Sequence, residues 1–233
     1  MNYEKMLPTG FQSLDGLLGG GFHGGDLHVI AARPGMGKTL FALQCTAGMA
    51  KNSGKKMCIF SPGMGRNHIK QIFAELCNRD NLLLDDTAAI TISQIRTRLA
   101  GITDLGAVAI DDLGLIHPKD GAYPQNASSA NEIARELKRI AREFDIPVVC
   151  TSRLPRSTDN RRDGRPILTD LEEISGGLIQ DADVILFPYR HAYFDPVEAD
   201  PGSEIIVAKN RYGGCGSLPF HFDGRIPQFS EEL

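Results

Sequence analysis

Residues 31–41 read AARPGMGKTLF, and the run closes on Gly37-Lys38-Thr39. A glycine-bearing loop between an apolar strand and a helix turns successive backbone N–H groups toward one point, where the positive end of the helix also lies. The composition is that of a phosphate-binding loop. The backbone of Ala32, Arg33, Pro34, Gly35, Met36 and Gly37 would wrap the phosphates, Lys38 would reach the β and γ positions, and Thr39 would ligate Mg²⁺. Ala32 stands where the usual pattern has its first glycine, and its small side chain still admits phosphate if the local backbone suits alanine. The loop is expected to hold ATP with Mg²⁺.

Three further clusters carry chemistry. In AVAIDD, Asp111 ends an apolar run, and a carboxylate there, beside a phosphate loop, would hold the Mg²⁺ shell. Asp112 follows it directly, and strand alternation points it away from Asp111 unless the strand ends there and the backbone turns. The segment SRLPRSTDNRRDGR, 152–165, holds Arg156, Arg161 and Arg162 among its five arginines and only two acids. Such a polar, aperiodic segment predicts a long mobile loop whose guanidinium groups contact the backbone of single-stranded DNA; it lacks an aromatic residue to stack on bases. In VAKNRYGG, Lys209 and Arg211 fall on one side of a strand end, where cations would serve a nucleotide in the same chain or across a subunit boundary. For each cluster the plain alternative is a turn or a solvated basic surface.

These residues need a scaffold. LHVIAA, KKMCIFS, LGAVAIDD, IPVVCTS, ADVILFPYR and EIIVAKNR read as strands, most of them apolar throughout, and SLPFHF as an edge strand. Helical patterns start at Lys38, cover RNHIKQIFAELCN and TISQIRTRLA, and are clearest over 129–144, where Ile133, Leu137, Ile140, Ala141 and Phe144 keep helical spacing. Buried strands alternating with amphipathic helices predict an α/β fold, a mostly parallel sheet covered on both faces, with ligands at the carboxyl ends of the strands. The bulk properties agree with one domain over 1–233. The net charge of −4 leaves nucleic-acid contact to local basic patches, and no apolar run is long enough for a membrane span. Five scattered cysteines without a CxxC pair predict buried thiols and a reducing, cytoplasmic compartment, and the six histidines show no metal-binding spacing.

Taken together and in order, LPTGFQSLDGLLGG, AARPGMGKTLFAL, LLLDD, AIDDL, ARELKRIAREFDIPVV, RRDGRPILTDLEE, IQDADVILFPYR and EIIVAKNRYG resemble the RecA-like C-terminal motor domain of DnaB-type replicative DNA helicases over nearly the whole chain. The resemblance implies a RecA-like P-loop NTPase that binds ATP and Mg²⁺ between subunits of a hexameric ring and moves on single-stranded DNA. It implies nucleotide and metal roles for Lys38, Thr39 and Asp111, and accepts alanine at Ala32. It makes Arg211 a trans-acting arginine finger with Lys209 as its partner, and the Arg-rich segment a central-channel DNA loop. A homo-hexamer, or association with a helicase, is the implied assembly.

The departures bear on activity. Where the family has Phe-Ser-Leu-Glu-Met, with a water-activating Glu, this chain has Phe60-Ser61-Pro62-Gly63-Met64. Asp112-Leu113-Gly114 replaces Tyr-Leu-Gln, Ser152-Arg153 replaces Ser-Gln, so that the γ-phosphate sensor the resemblance implies there is replaced by a cation, and EEISGG carries an extra residue. The family's N-terminal domain and linker helix are not in the sequence, so DNA binding and ring formation are expected to be weak for a lone chain. Asp112 is the one substitute carboxylate, and slow turnover is expected. Three activities stay open: an ATP-driven DNA translocase, a non-hydrolysing ATP-binding regulatory or assembly module, and a RadA- or KaiC-like ATPase.

Overall fold

The structure, a computed structural model, describes residues 5–76, 81–118, 127–193, 202–223 and 228–232. Six parallel strands form its centre: β3 (Leu27–Ala32), β4 (Lys56–Phe60), β5 (Leu82–Asp85), β6 (Leu105–Ile110), β7 (Val148–Arg153) and β8 (Val184–Arg190). An antiparallel extension follows with β9 (Ser203–Asn210), β10 (Gly216–Asp223) and β11 (Gln228–Glu231), giving the order β11-β10-β9-β8-β3-β7-β6-β4-β5. A separate two-stranded ribbon pairs β1 (Met6–Leu7) with β2 (Phe22–His23), and a short helix α1 (Gln12–Leu17) lies between them.

The strands are apolar on both faces because helices cover both. On one side α2 (Lys38–Ser53) and α3 (Arg66–Leu76) pack through Leu43, Ala47, Ile69 and Phe73 onto Ile59 and Ala109. On the other, α4 (Ile92–Ala100), α5 (Ala127–Phe144) and α6 (Thr169–Asp181) bury Ile95, Ile133, Leu137, Ile140 and Leu178 against Val29, Val108 and Ile185. The helical spacing of α5 is thus a core face, and α4 starts on a reciprocal cap between Thr91 and Gln94. Asp145 ends α5 in the left-handed region at φ 54°.

Several expectations are corrected. SLPFHF is not the edge: β11 pairs outside β10, its backbone clamped to α2 by a two-way hydrogen bond between Gln44 and Phe229. LLLD forms β5, which is the opposite edge. Residues 169–181 form a helix interrupted at Ser175, which is extended; Asn131 Oδ1 accepts from the freed Gly177 N–H, and Ser175 Oγ accepts from Leu178 N–H. EEISGG, residues 172–177, spans that interruption. The Arg-rich segment is partly ordered, with a 3₁₀ turn over Arg156–Asn160. Cys45, Cys58 and Cys150 are buried and Cys215 is exposed, while Cys77 lies outside the described residues. Among the described residues no helix is long and apolar enough to cross a membrane, and no three His, Cys, Asp or Glu side chains gather as a metal centre.

Candidate functional site: a phosphate loop at the carboxyl edge of the sheet

β3 delivers the chain into the loop at Ala32, which is buried, extended and in register with Arg153 on β7. Alanine is accepted here because the residue still belongs to the strand. Gly35 and Gly37 take φ of 83° and 89°, where glycine alone is unstrained, and Gly37 is the N-cap of α2. The 16 residues of α2 then aim their unpaired first-turn N–H groups and the positive end of the helix dipole into the loop. Met36 is buried beneath it, and Pro34 and Gly35 are exposed. Arg33 does not face the loop's interior. Its guanidinium binds both carboxylate oxygens of Asp159 at 2.8–3.0 Å and the Leu154 carbonyl at 3.0 Å, tying the loop to the Arg-rich segment.

Asp111, Asp112, Lys38 and Thr39 converge. Thr39 Oγ1 donates to Asp111 Oδ1 at 2.7 Å, and Thr151 Oγ1 donates to the same oxygen at 2.7 Å. β6 ends at Ile110, just before the acidic pair, and both carboxylates serve the loop. With the strand ended, Asp112 does not follow its alternation away from the site. Asp112 Oδ2 lies 3.8 Å from Lys38 Nζ and accepts from Arg153 Nε at 2.8 Å, while Oδ1 accepts from Gly114 N–H at 3.1 Å. Beneath these charges, burial pushes the Cys150 thiol well above its usual range, with the Asp112 charge adding to the effect.

Ser61 leaves β4 beside Asp111, since Phe60 and Ile110 are in register, and its buried Oγ has no hydrogen-bond partner among the described residues. A hydroxyl–carboxylate pair, a lysine, free helix N–H groups and one orphaned buried hydroxyl suit a polyanion carrying a hard cation. Gly63 sits at the rim, where a Cβ would come within 2.7 Å of Leu115 Cδ1. No carboxylate occupies residues 61–65. Beside the loop, the Arg190 guanidinium donates to the Gly35 carbonyl at 2.8 Å and stacks 3.8 Å above the Phe222 ring.

The remaining candidates sit elsewhere. Lys209 ends β9 with Asn210 and Arg211 follows it; β9 runs antiparallel to β8, so they lie at the opposite edge of the sheet, where Asn210 pairs with Val184. The seven residues of β8 put about 20 Å between that edge and the loop. Lys209 Nζ caps α6 through the carbonyls of Ile179 (2.5 Å) and Ala182 (2.6 Å); burial and the nearby Arg211 lower its pKa. Arg211 Nε lies 3.1 Å from Asp183 Oδ1, and Asp183 Oδ2 also binds buried Lys138 at 2.5 Å. Half of the Arg211 side chain stays exposed.

Within the Arg-rich segment, Arg156 and Arg162 are exposed and make no ion pair among the described residues, whereas Arg161 is taken up by Asp170 in a two-point ion pair and by the Arg165 carbonyl. Tyr189 Oη bonds the Asp163 carbonyl. Only two of the three arginines expected to face DNA are therefore available. Thr151 and Arg190 escape a motif reading because the sheet order, not sequence spacing, brings them to the loop.

The sequence profile of the DnaB-like helicase C-terminal domain matches residues 6–76 and 66–231. The chain belongs to that family. This DnaB-like domain is 34% identical to the replicative DNA helicase DnaC of Bacillus subtilis and 33% identical to the replicative DNA helicase DnaB of Geobacillus stearothermophilus, over 93% of the chain in each case. It spans about half the length of these relatives, 54% of each. A solved ATPase domain superposes on it with a TM-score of 0.86 at 28% identity, covering 100% of this chain and 94% of that one. A DnaB-like replicative helicase studied with its interactions with primase gives 0.85 at 29% identity, over 96% of this chain and 61% of its own. A KaiC-like protein of Pyrococcus horikoshii gives 0.69 at 13% identity, covering 98% and 99%, which shows the shared RecA-like fold alone. The RecA-like reading of the sheet is correct.

Proposed function

We propose that this DnaB-like domain binds Mg-ATP at residues 32–39, turns it over slowly, and contacts single-stranded DNA through Arg156 and Arg162. The observation that carries the reading is the meeting of Thr39 with Asp111 and of Lys38 with Asp112 at the start of α2. Thr39 and Asp111 would hold Mg²⁺, which when bound offsets charge between the phosphates. The loop amides and Lys38 would bind and orient the phosphate chain, and the planar Arg190–Phe222 stack would lie against the base. Arg211 is proposed to serve the nucleotide of a neighbouring copy in a ring, since its edge lies away from its own loop.

A second reading, a non-hydrolysing ATP-binding module that regulates or assembles with a helicase, is favoured by the rim at Gly63. A positioned base contributes typically 10²–10⁴-fold in rate. None stands at residues 61–65, and Leu115 fills the nearby space. Steady-state ATP hydrolysis with and without single-stranded DNA separates the two. Slow, DNA-stimulated turnover is expected, raised at least about ten-fold by Gly63→Glu when Leu115→Ala makes room. Turnover that is zero in every variant would select the second reading. Fast turnover lost in Asp112→Asn and indifferent to residue 63 would show that Asp112 is the base.

A further inference from the structure

The outer face of α5 repeats one residue type where the helix itself gains nothing from it. Arg135, Arg139 and Arg142 stand four and three residues apart, so they share a face, and like charges at that spacing repel. Arg139 is relieved by Glu136. Arg135 and Arg142 are exposed and make no ion pair among the described residues. The three arginines border a cleft of about 190 Å³, and Gln180, Asp181 and Arg211 close it from the end of α6 and the turn after β9. Lys138 also lines the cleft, but its three N–H groups are spent on the Gly25 carbonyl, Asp26 and Asp183. Arg211 gives Nε to Asp183 and keeps half of its side chain exposed.

The chemistry of the lining selects the occupant. Among the described residues every side chain around the cleft is polar and none is aromatic or aliphatic, so neither a base nor an apolar side chain would find a surface to lie on. Four guanidinium groups face a single carboxylate, Asp181, and guanidinium forks match phosphoryl oxygens two at a time. Further along α5 the surface changes sign, with Glu132 and Glu136 beside Arg135 and Arg139, which repels a polyanion long enough to run on along the helix. The occupant is therefore short as well as highly charged. We propose that the α5–α6 cleft binds a compact polyphosphate group, pyrophosphate or tripolyphosphate, free or carried by a small molecule, and that the site is complete within one chain. It lies at the edge of the sheet away from residues 32–39 and does not depend on them. Arg135 and Arg142 grip the anion from α5, and Arg211 meets it from across the cleft. An anion held there engages the outward side of Arg211, and so competes with the role proposed for Arg211 toward a neighbouring copy.

The test is titration calorimetry at low salt with inorganic tripolyphosphate, on the chain carrying Lys38→Ala so that the phosphate loop does not contribute. Binding should persist in that background and weaken as salt is added. Arg135→Ala and Arg142→Ala should each weaken it about ten-fold, because charge-assisted bonds to the anion are lost. Arg142→Lys should recover part of that loss, since a point charge lacks the fork, and Asp181→Asn should tighten binding by removing the one carboxylate. Repeating the titration with ATP in the absence of Mg²⁺ separates the sources: tighter binding than tripolyphosphate supports a nucleotide in the cleft, and weaker binding supports a polyphosphate without one. No binding at millimolar tripolyphosphate, or binding that Arg135→Ala and Arg142→Ala leave unchanged, would overturn the site. Equal affinity for an octaglutamate peptide or a short oligothymidylate, lost in the same variants, would reduce the cleft to an unselective basic surface and overturn it as well.

Discussion

At the residue scale, the phosphate loop depends on a few close placements, and one buried side chain beneath the fold reports on its acid stability. His28 in β3 is fully buried, stacked on Phe22 at 4.1 Å, and its Nδ1 has no partner among the described residues. Burial pulls its pKa down to about 4, against which the Asp26 charge works only partly. The folded value lies below the unfolded one, so the unfolded chain takes up a proton first as the solution is acidified. The stability tied to neutral His28 is complete above about pH 6.5 and drains away toward pH 4. Between pH 6.5 and 5 this costs about 1.5 kcal/mol. In urea melts over that interval, His28→Phe should flatten the slope while keeping the stack on Phe22. A wild-type slope that His28→Phe leaves unchanged would mean that the proton goes elsewhere.

At the element scale, residues 154–165 do two jobs. Arg33 holds the segment to the phosphate loop through Asp159 and Leu154, and Arg161 holds it to the start of α6 through Asp170, whose carboxylate is almost wholly buried. Arg156 and Arg162 remain outside these ties. Arg156→Ala with Arg162→Ala should reduce the salt slope of single-stranded DNA binding by about 0.7 per arginine and leave unfolding unchanged. Arg161→Ala should cost about 2 kcal/mol of stability with little change in slope, since it strands the Asp170 charge. If all three variants shift DNA binding alike, Arg161 belongs with the DNA-facing pair. The division is not readable from the sequence, where the arginines look equivalent; Asp170, which pairs with Arg161 alone among the three, is supplied by a helix that Ser175, Gly176 and Gly177 disguise by breaking its apolar stripe. β5 is also hard to read, because four residues give too short a pattern. The loop, β3, α2, β6 and α5 are legible, since their signals are local: glycines where φ is positive, unbroken apolar runs, and helical spacing. The contacts of Asp112 with Arg153, and of Asp111 with Thr151, depend on β6 and β7 lying side by side, which no local signal records.

At the scale of the whole molecule, one sheet presents two working edges. The carboxyl edge of β3, β7, β6 and β4 gathers Lys38, Thr39, Asp111 and Asp112, and the far edge carries Arg211 on a buried framework of Asp183 and Lys138. Arg211 is therefore a half-exposed cation at the edge away from the loop, and the carboxyl edge is where the proposed function puts the nucleotide. A ligand held only by the folded state raises its stability by about 2.7 kcal/mol at a hundred times its Kd, which for a domain of this size is about 5–10 °C in Tm. The most direct test is therefore the Tm of the chain and its variants with Mg²⁺ and ADP. The account predicts that wild type gains several degrees, that Lys38→Ala gains essentially nothing, and that Thr39→Ala and Asp111→Asn lose the part of the gain that Mg²⁺ supplies. An equal gain in wild type and Lys38→Ala, or none in wild type at millimolar ADP, would contradict it.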